Sequence, residues 1–372
     1  MLKEGAVLMR YYGEKEARDL VIEAGHRLLE NKLIARTWGN ISARISEDEF
    51  VITPSGRAYD SLCADDLVIV KVSDASYEGD VKPSSEKGAH AAAYSLRTDA
   101  AFIIHTHQYY ASAVAAECRD VSFAPCADYA LPGTARLKET LEACISAMPG
   151  YDSFLMARHG TLILGSSFED AFAKAEELEE RCRELVESRT GIRMDDDSED
   201  FDQRADEAQA KFDSINIKAL PHIKVVSDPY IMRCCASGKT VGSFIDDFAQ
   251  IAGPDIQVVE NDVWSAEQAL LGHSSSRLAK KLRGMPMTGA LDRMGGQQPL
   301  LNSVIGRNAV LVKGVGAVCA GKTESDAEAI AMIVSKNCAA ACYVRRAKPL
   351  GIMDARLQRY IYLSSYSKRI DD

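Results

Sequence analysis

Ala101-Phe102-Ile103-Ile104-His105-Thr106-His107 reads as a β-strand that ends in two imidazoles. Apolar residues fill the run, and the two histidines stand i, i+2 apart, a spacing that puts both rings on one face of a sheet. Further along, Arg158-His159-Gly160 supplies a third imidazole within another β-prone run, Ser153 to Leu164. Three imidazoles with an open fourth position can make a catalytic metal site. An isolated histidine more often satisfies a local hydrogen bond, so the weight of the reading rests on what surrounds these three.

Outward from this strand, helical and extended patterns alternate. Ala17, Leu20, Val21, Ala24, Leu28 and Leu29 recur at helical spacing, which predicts an amphipathic helix from about Glu14 to Asn31. Asn40 to Arg44, Phe50 to Thr53 and Leu67 to Val72 are short β-prone runs, divided by the turn signals Thr53-Pro54-Ser55-Gly56 and Ser73-Asp74-Ala75-Ser76. Ser84-Ser85-Glu86 opens a helix that runs to about Arg97, with a serine as N-cap. Ser167-Phe168-Glu169-Asp170 is a capping box, followed by Phe172, Ala175, Leu178, Cys182 and Leu185 on one helical face.

The chain of 372 residues is too long for one ordinary core, and with 47% hydrophobic and 26% charged residues it reads as a soluble globular protein of two domains. The expected division is a first domain over 1–190, an acidic linker over 191–218 that holds Asp195-Asp196-Asp197, and a second domain over 219–372. A net charge of −10 argues against a nucleic-acid or membrane surface and leaves room for a small anion held by local donors. The longest apolar stretches fall well short of the roughly 20 residues needed to cross a bilayer. Met1-Leu2-Lys3-Glu4-Gly5 does not lead into a signal-type apolar run. Ten cysteines without metal-type spacing fit a reducing compartment, and a cytoplasmic location is expected.

The second half contains a concealed repeat. Without a gap, Ile223, Tyr230, Val241 and Gly253 align with Ile103, Tyr110, Val121 and Gly133. After an insertion, Leu311, Gly316, Gly321, Asp326, Ala327 and Cys338 fall on Leu155, Gly160, Gly165, Asp170, Ala171 and Cys182, and Thr323-Glu324-Ser325-Asp326 repeats the capping box. At the positions of His105, His107 and His159 the second half carries Val225, Ser227 and Val315. It is expected to be a truncated copy that binds no metal.

Gly39-Asn40, Ser55-Gly56 and Ser84-Ser85 are neutral donors in loops or at a helix start, the kind that an acidic protein needs to hold a phosphate or carboxylate. Together, Gly39-Asn40-Ile41-Ser42, Ile52-Thr53-Pro54-Ser55-Gly56, Pro83-Ser84-Ser85-Glu86 with His90, His105-Thr106-His107 and Arg158-His159-Gly160 occur in the order and approximate spacing of the class II aldolase/adducin family. The resemblance covers roughly residues 15 to 188. It implies a three-layer α/β/α domain with a central, mostly antiparallel sheet, followed here by the truncated degenerate repeat. It also implies a zinc-type divalent ion, Zn2+ or alternatively Mn2+ or another, on His105, His107 and His159, with Glu86 as acid/base and Asn40, Ser55, Gly56, Ser84 and Ser85 around a phosphate.

On this resemblance the chain is expected to be a metal-dependent lyase that cleaves a small phosphorylated ketose to dihydroxyacetone phosphate and an aldehyde. The chemistry is consistent, since a Lewis acid on vicinal oxygens stabilises an enediolate while a carboxylate moves the proton. A decarboxylase or dehydratase on the same fold and a non-catalytic adducin-like module are the alternatives. His90 shares a helical face with Glu86 and is expected to order the carboxylate or the sheet beneath it. Family aldolases take an aldehyde proton donor, a tyrosine, from a neighbouring subunit; Tyr129 stands near that place but not in clear register. A homo-oligomer, with a dimer favoured, is expected to follow from active sites that lie between subunits.

Overall fold

Alternation along the strands decides which side chains meet. In β4 (Phe102–Thr106), Phe102 and Ile104 face one side, while Ile103 and His105 face the other. The computed structural model describes residues 11–31, 33, 38–195, 200–213, 222–260 and 307–366. The chain divides into two units, with the break between Leu185 and Val186.

The first unit is built on a seven-stranded sheet in the order β3-β2-β1-β4-β7-β6-β5. Its strands are β1 (Asn40–Arg44), β2 (Glu49–Ile52), β3 (Val68–Lys71), β4, β5 (Cys126–Ala127), β6 (Ser153–Met156) and β7 (Gly160–Gly165). Every pairing is antiparallel except β5 with β6. One face is covered by α1 (Glu14–Glu30) and the start of α5 (Phe168–Thr190), whose Ala17, Val21, Ala24, Leu28 and Phe172 pack on Ile41, Ala43, Val51, Phe102 and Ile104. The other face is covered by α2 (Lys87–Leu96) and α4 (Ala135–Ala147), through Ala89, Ala93, Tyr94, Leu137 and Leu141 against Phe50, Ile52, Ile103 and Leu162. Both faces bury apolar side chains, which gives the sequence its near-continuous hydrophobic strands and the fold its three layers. A short α3 (Tyr109–Ala115) follows β4.

Two local details differ from the sequence reading. Helix α2 begins at Lys87 with Glu86 as its N-cap, two residues later than a serine cap would have it, and the Ser84 hydroxyl accepts from Glu86 N at 3.2 Å. The acidic segment, expected to be a linker carrying a solvated surface helix, forms α6 (Phe201–Asp213), which packs within the second unit. Its Ala205, Ala208 and Phe212 pack with Val225, Val310, Val312 and Val318. Gln209 donates to the Ile223 carbonyl at 3.0 Å and accepts from Val225 N at 2.8 Å. Three apolar residues at helical spacing are enough to dock a helix whose other face is charged.

The second unit has a four-stranded sheet in the order β11-β12-β13-β8, made of β8 (His222–Val226), β11 (Val258–Val259), β12 (Ala309–Val312) and β13 (Gly316–Gly321). Around it stand α7 (Pro229–Ser237), α8 (Asp246–Ala252), a small pair of β9 (Val241–Gly242) with β10 (Asp255–Ile256), and the helices α9 (Glu324–Tyr343) and α10 (Ile352–Ile361). Its registers repeat those of the first unit. Gly321 pairs with His222 and Ala317 with Val226, as Gly165 pairs with Phe102 and Thr161 with Thr106. Ala309 pairs with Cys319 and Val312 with Gly316, as Ser153 pairs with Ile163 and Met156 with Gly160. Strand β11 runs parallel to β12, as β5 does to β6. Most of the insertion, residues 261–306, lies outside the described residues.

Candidate metal centre

Strand register brings the site together. Asn40 on β1 is the direct partner of His105 on β4, and Ser42 that of Ile103, so Asn40, Ser42 and His105 share the face covered by α2. His107 lies just past the last residue of β4, and His159 in the turn between β6 and β7. That turn is carried by Arg158 in the left-handed region, φ 64°, which swings His159 back over the end of β4. Gly160 is required by crowding: a Cβ there would stand 2.4 Å from the Thr106 carbonyl oxygen and 3.3 Å from His107 Cδ2.

The three rings converge on one point. His105 Nε2 lies 3.0 Å from His107 Nε2 and 3.2 Å from His159 Nε2. The three histidines are buried, and their ligand atoms all lie within 4.8 Å of one another. His105 Nδ1 donates to the Thr161 carbonyl at 2.8 Å, which fixes the ring with its Nε2 turned toward the other two. Nitrogens bound tetrahedrally at about 2.0–2.1 Å from zinc would stand about 3.3–3.4 Å apart, close to the separations from His105. The donor set fits a divalent cation.

Glu86 closes the site. Its Oε2 is 3.1 Å from His105 Nε2 and its Oε1 is 3.1 Å from His159 Nε2. Burial alone would push this carboxyl up, but the charges of His105 and His159 and their hydrogen bonds hold it well below the usual carboxylate range. It therefore stands ionised, able to take a proton or to approach a cation.

Of the neutral donors, Asn40 and Ser84 bond to Glu86 directly, and the others are tied to them through the chain. Pro54 bridges Pro83, Ser55 N donates to the Lys82 carbonyl at 2.9 Å, and Ser84 N to the Thr53 carbonyl at 3.0 Å. This ties the Ser55-Gly56 turn, with Gly56 at φ 76°, to the Ser84-Ser85 segment. Ser85 is exposed and Ser84 buried. Asn40 is buried, and its Nδ2 donates to Glu86 Oε2 at 2.9 Å, so part of its donor capacity serves the carboxylate. Tyr129 is half-buried, two residues past β5. His26 and His222 are exposed, and His273 lies outside the described residues. Sequence reasoning missed the Thr161 carbonyl, which carries no side-chain signal. It also missed Ser42 and Tyr94, linked to each other at 2.9 Å and, through Ser42 Oγ, to His90 at 2.7 Å. Ser42, at i+2 from Asn40 in a predicted strand, was the available clue.

The Class II Aldolase and Adducin N-terminal domain family matches residues 19–186. The 5-deoxy-D-ribulose 1-phosphate aldolase of Bacillus thuringiensis serovar kurstaki is 32% identical over 177 residues, which cover 44% of this chain and 82% of that protein. The chain belongs to the class II aldolase/adducin family. The L-fuculose phosphate aldolase of Methanococcus maripaludis is 29% identical over 170 residues, covering 43% of this chain and 90% of that one. A solved L-fuculose 1-phosphate aldolase is 27% identical with a TM-score of 0.42, covering 53% of this chain and 96% of that one. The expected α/β fold is the one found, and the chain is a metal-dependent, aldolase-type carbon–carbon lyase. No helix among the described residues is long and apolar enough to cross a membrane.

Proposed function

We propose that the first unit catalyses reversible aldol cleavage of a small phosphorylated ketose to dihydroxyacetone phosphate and an aldehyde. The observation that carries this reading is a buried carboxylate, Glu86, at 3.1 Å from two of three converging imidazoles and beside a cluster of neutral anion donors. His105, His107 and His159 would hold the ion, for which zinc is favoured because imidazole-rich sites suit it. Such an ion, when bound, supplies Lewis-acid polarisation of the substrate's carbonyl and neighbouring hydroxyl oxygens. Ser55, Gly56, Ser84 and Ser85 hold the phosphate through the three hydroxyls and the backbone N–H groups of Gly56 and Ser85, which places the reacting carbons near Glu86. In cleavage Glu86 takes the proton of the hydroxyl on the aldehyde-forming carbon, and the O–H pair becomes the new carbonyl bond. The pair of the broken carbon–carbon bond stays with the three-carbon fragment, and Glu86 returns the proton to the carbon that bears it. In the synthetic direction Glu86 removes that proton. Substrate names of the two relatives, both ketose phosphates, agree with this class.

The second unit is proposed to be a degenerate copy of the strands and helices around this site. Besides the shared registers, Gly316 repeats the crowding at Gly160, with its Cβ position 2.3 Å from the Val226 carbonyl oxygen. Gly314, φ 71°, stands where Arg158 does. Asp326 accepts from Lys322 N at 2.8 Å, as Asp170 accepts from Ser166 N at 2.7 Å. Val225, Ser227 and Val315 occupy the three ligand positions, so this copy holds no equivalent ion.

The test is a turnover screen of ketose 1-phosphates and hydroxy acids on metal-replete protein, with dihydroxyacetone phosphate and carbon dioxide detected separately. Release of dihydroxyacetone phosphate is expected. Carbon dioxide without it would overturn the reading in favour of decarboxylation.

A further inference from the structure

A line of hydrogen bonds runs from Glu86 into the core beneath it. Asn40 Nδ2 donates to Glu86 Oε2 at 2.9 Å, and Asn40 Oδ1 meets His90 Nε2 at 2.5 Å. His90 Nδ1 meets Ser42 Oγ at 2.7 Å, and the Tyr94 hydroxyl lies 2.9 Å from Ser42 Oγ and 3.1 Å from the Ser42 carbonyl. Asn40, Ser42 and His90 are all buried, and the His90 ring stacks on Phe50 with centroids 6.5 Å apart.

The proton on each bond can be assigned. Asn40 turns its NH2 toward the Glu86 carboxyl, donating at 2.9 Å, and its Oδ1 toward His90. The opposite flip would set the amide oxygen against the carboxylate. With Asn40 so fixed, its Oδ1 needs a donor, and among the described residues His90, protonated at Nε2, stands against it at 2.5 Å. His90 Nδ1 then accepts from the Ser42 hydroxyl if the ring is neutral. Neutrality follows from its surroundings, because burial first, and His105 second, push the ring's pKa down to about 3 against an opposing pull from Glu86. Glu86 at one end and the Nε2–H tautomer of His90 at the other thus agree on one orientation of the Asn40 amide.

We propose that His90, acting through Asn40, sets the orientation of the Glu86 carboxylate and is a positioning residue for its proton transfer. The inference rests on the aldolase reading of Glu86 but predicts something that reading does not require. A histidine that only filled the core could be replaced by any group of its size. Here the essential feature is a single donor at the Nε2 position, and glutamine offers an N–H the same number of bonds from the backbone. Outer hydrogen-bond partners of such sites typically change activity about 10–100-fold when lost.

The experiment compares metal-loaded wild type, His90→Phe and His90→Gln, and adds long-range 1H–15N spectra of wild type labelled at histidine nitrogen. Three results are expected together: an Nε2–H tautomer for His90, a kcat at least tenfold lower in H90F with KM and bound metal unchanged, and recovery in H90Q to within about threefold of wild type. An Nδ1–H tautomer, wild-type kcat in H90F, equal losses in both variants, or losses of metal and KM that track kcat would each overturn the proposal. The spectrum decides even if H90F fails to fold. Wild-type protein inactive on every ketose phosphate would count against the aldolase reading alone, while the tautomer would still judge the relay.

Discussion

Gly160→Ala tests the ligand turn with a single added methyl. The new Cβ would stand 2.4 Å from the Thr106 carbonyl oxygen, 3.3 Å from its carbon and 3.3 Å from His107 Cδ2. Thr106 directly precedes His107, so any retreat of its carbonyl moves a ligand. A displacement of about 0.6 Å is the least that brings the closest contact into an allowed range, and overpacking of this kind typically costs about 1–3 kcal/mol. Displacing one imidazole on that scale should weaken metal binding about 10–100-fold. Gly316→Ala is the internal control, since its Cβ would stand 2.3 Å from the Val226 oxygen, and φ 139° adds backbone strain. It should destabilise the second unit at least as much and leave metal affinity within about twofold of wild type. The assay is competition with a calibrated chelator, alongside thermal melts of chelated protein. Unchanged affinity in G160A, or an equal loss in G316A, would refute the reasoning.

Other perturbations follow from the same geometry. Glu86→Gln should keep the metal and lower turnover by about 10²–10⁴-fold, as measured by steady-state kinetics on metal-replete protein; undiminished turnover would exclude Glu86 from proton transfer. Inorganic phosphate should compete with substrate, and Ser85→Ala should raise KM with little change in kcat. His90, with a folded pKa near 3 against an ordinary 6.5, gives stability that is fully present above pH 6.5 and lost as pH falls toward 3. In mid-window the loss is about 1.4 kcal/mol per pH unit, because the unfolded chain binds a proton that the folded chain refuses. Urea unfolding at pH 5 in chelator should therefore take up about one more proton per chain in wild type than in His90→Gln, and equal uptake would contradict the burial argument.

The residues that read clearly from sequence are those whose placement depends on local periodicity. The i, i+2 spacing of His105 and His107 in a strand, the helical spacing of Ala17, Val21, Ala24 and Leu28, and the Ser167 and Thr323 caps need only the geometry of their own elements. The third ligand was legible as a residue but not as a turn, because Arg158 holds a left-handed conformation without being Gly, Asn or Asp. Asn40 read as an anion donor, and its bond to Glu86 depends on the long-range register that sets it opposite His105. The acidic segment reads as a solvated surface helix. The docking of α6 was hidden because its charges outnumber Ala205, Ala208 and Phe212, and most of the valines they meet, Val310, Val312 and Val318, lie about a hundred residues away.

Elemental analysis of purified, metal-replete protein tests the central claim most directly. The complete ligand set of the first unit and the Val225, Ser227 and Val315 of the second predict one tightly held divalent ion per chain, lost in His105→Ala/His107→Ala. Two tightly held ions per chain, or an ion retained by that double variant, would contradict it.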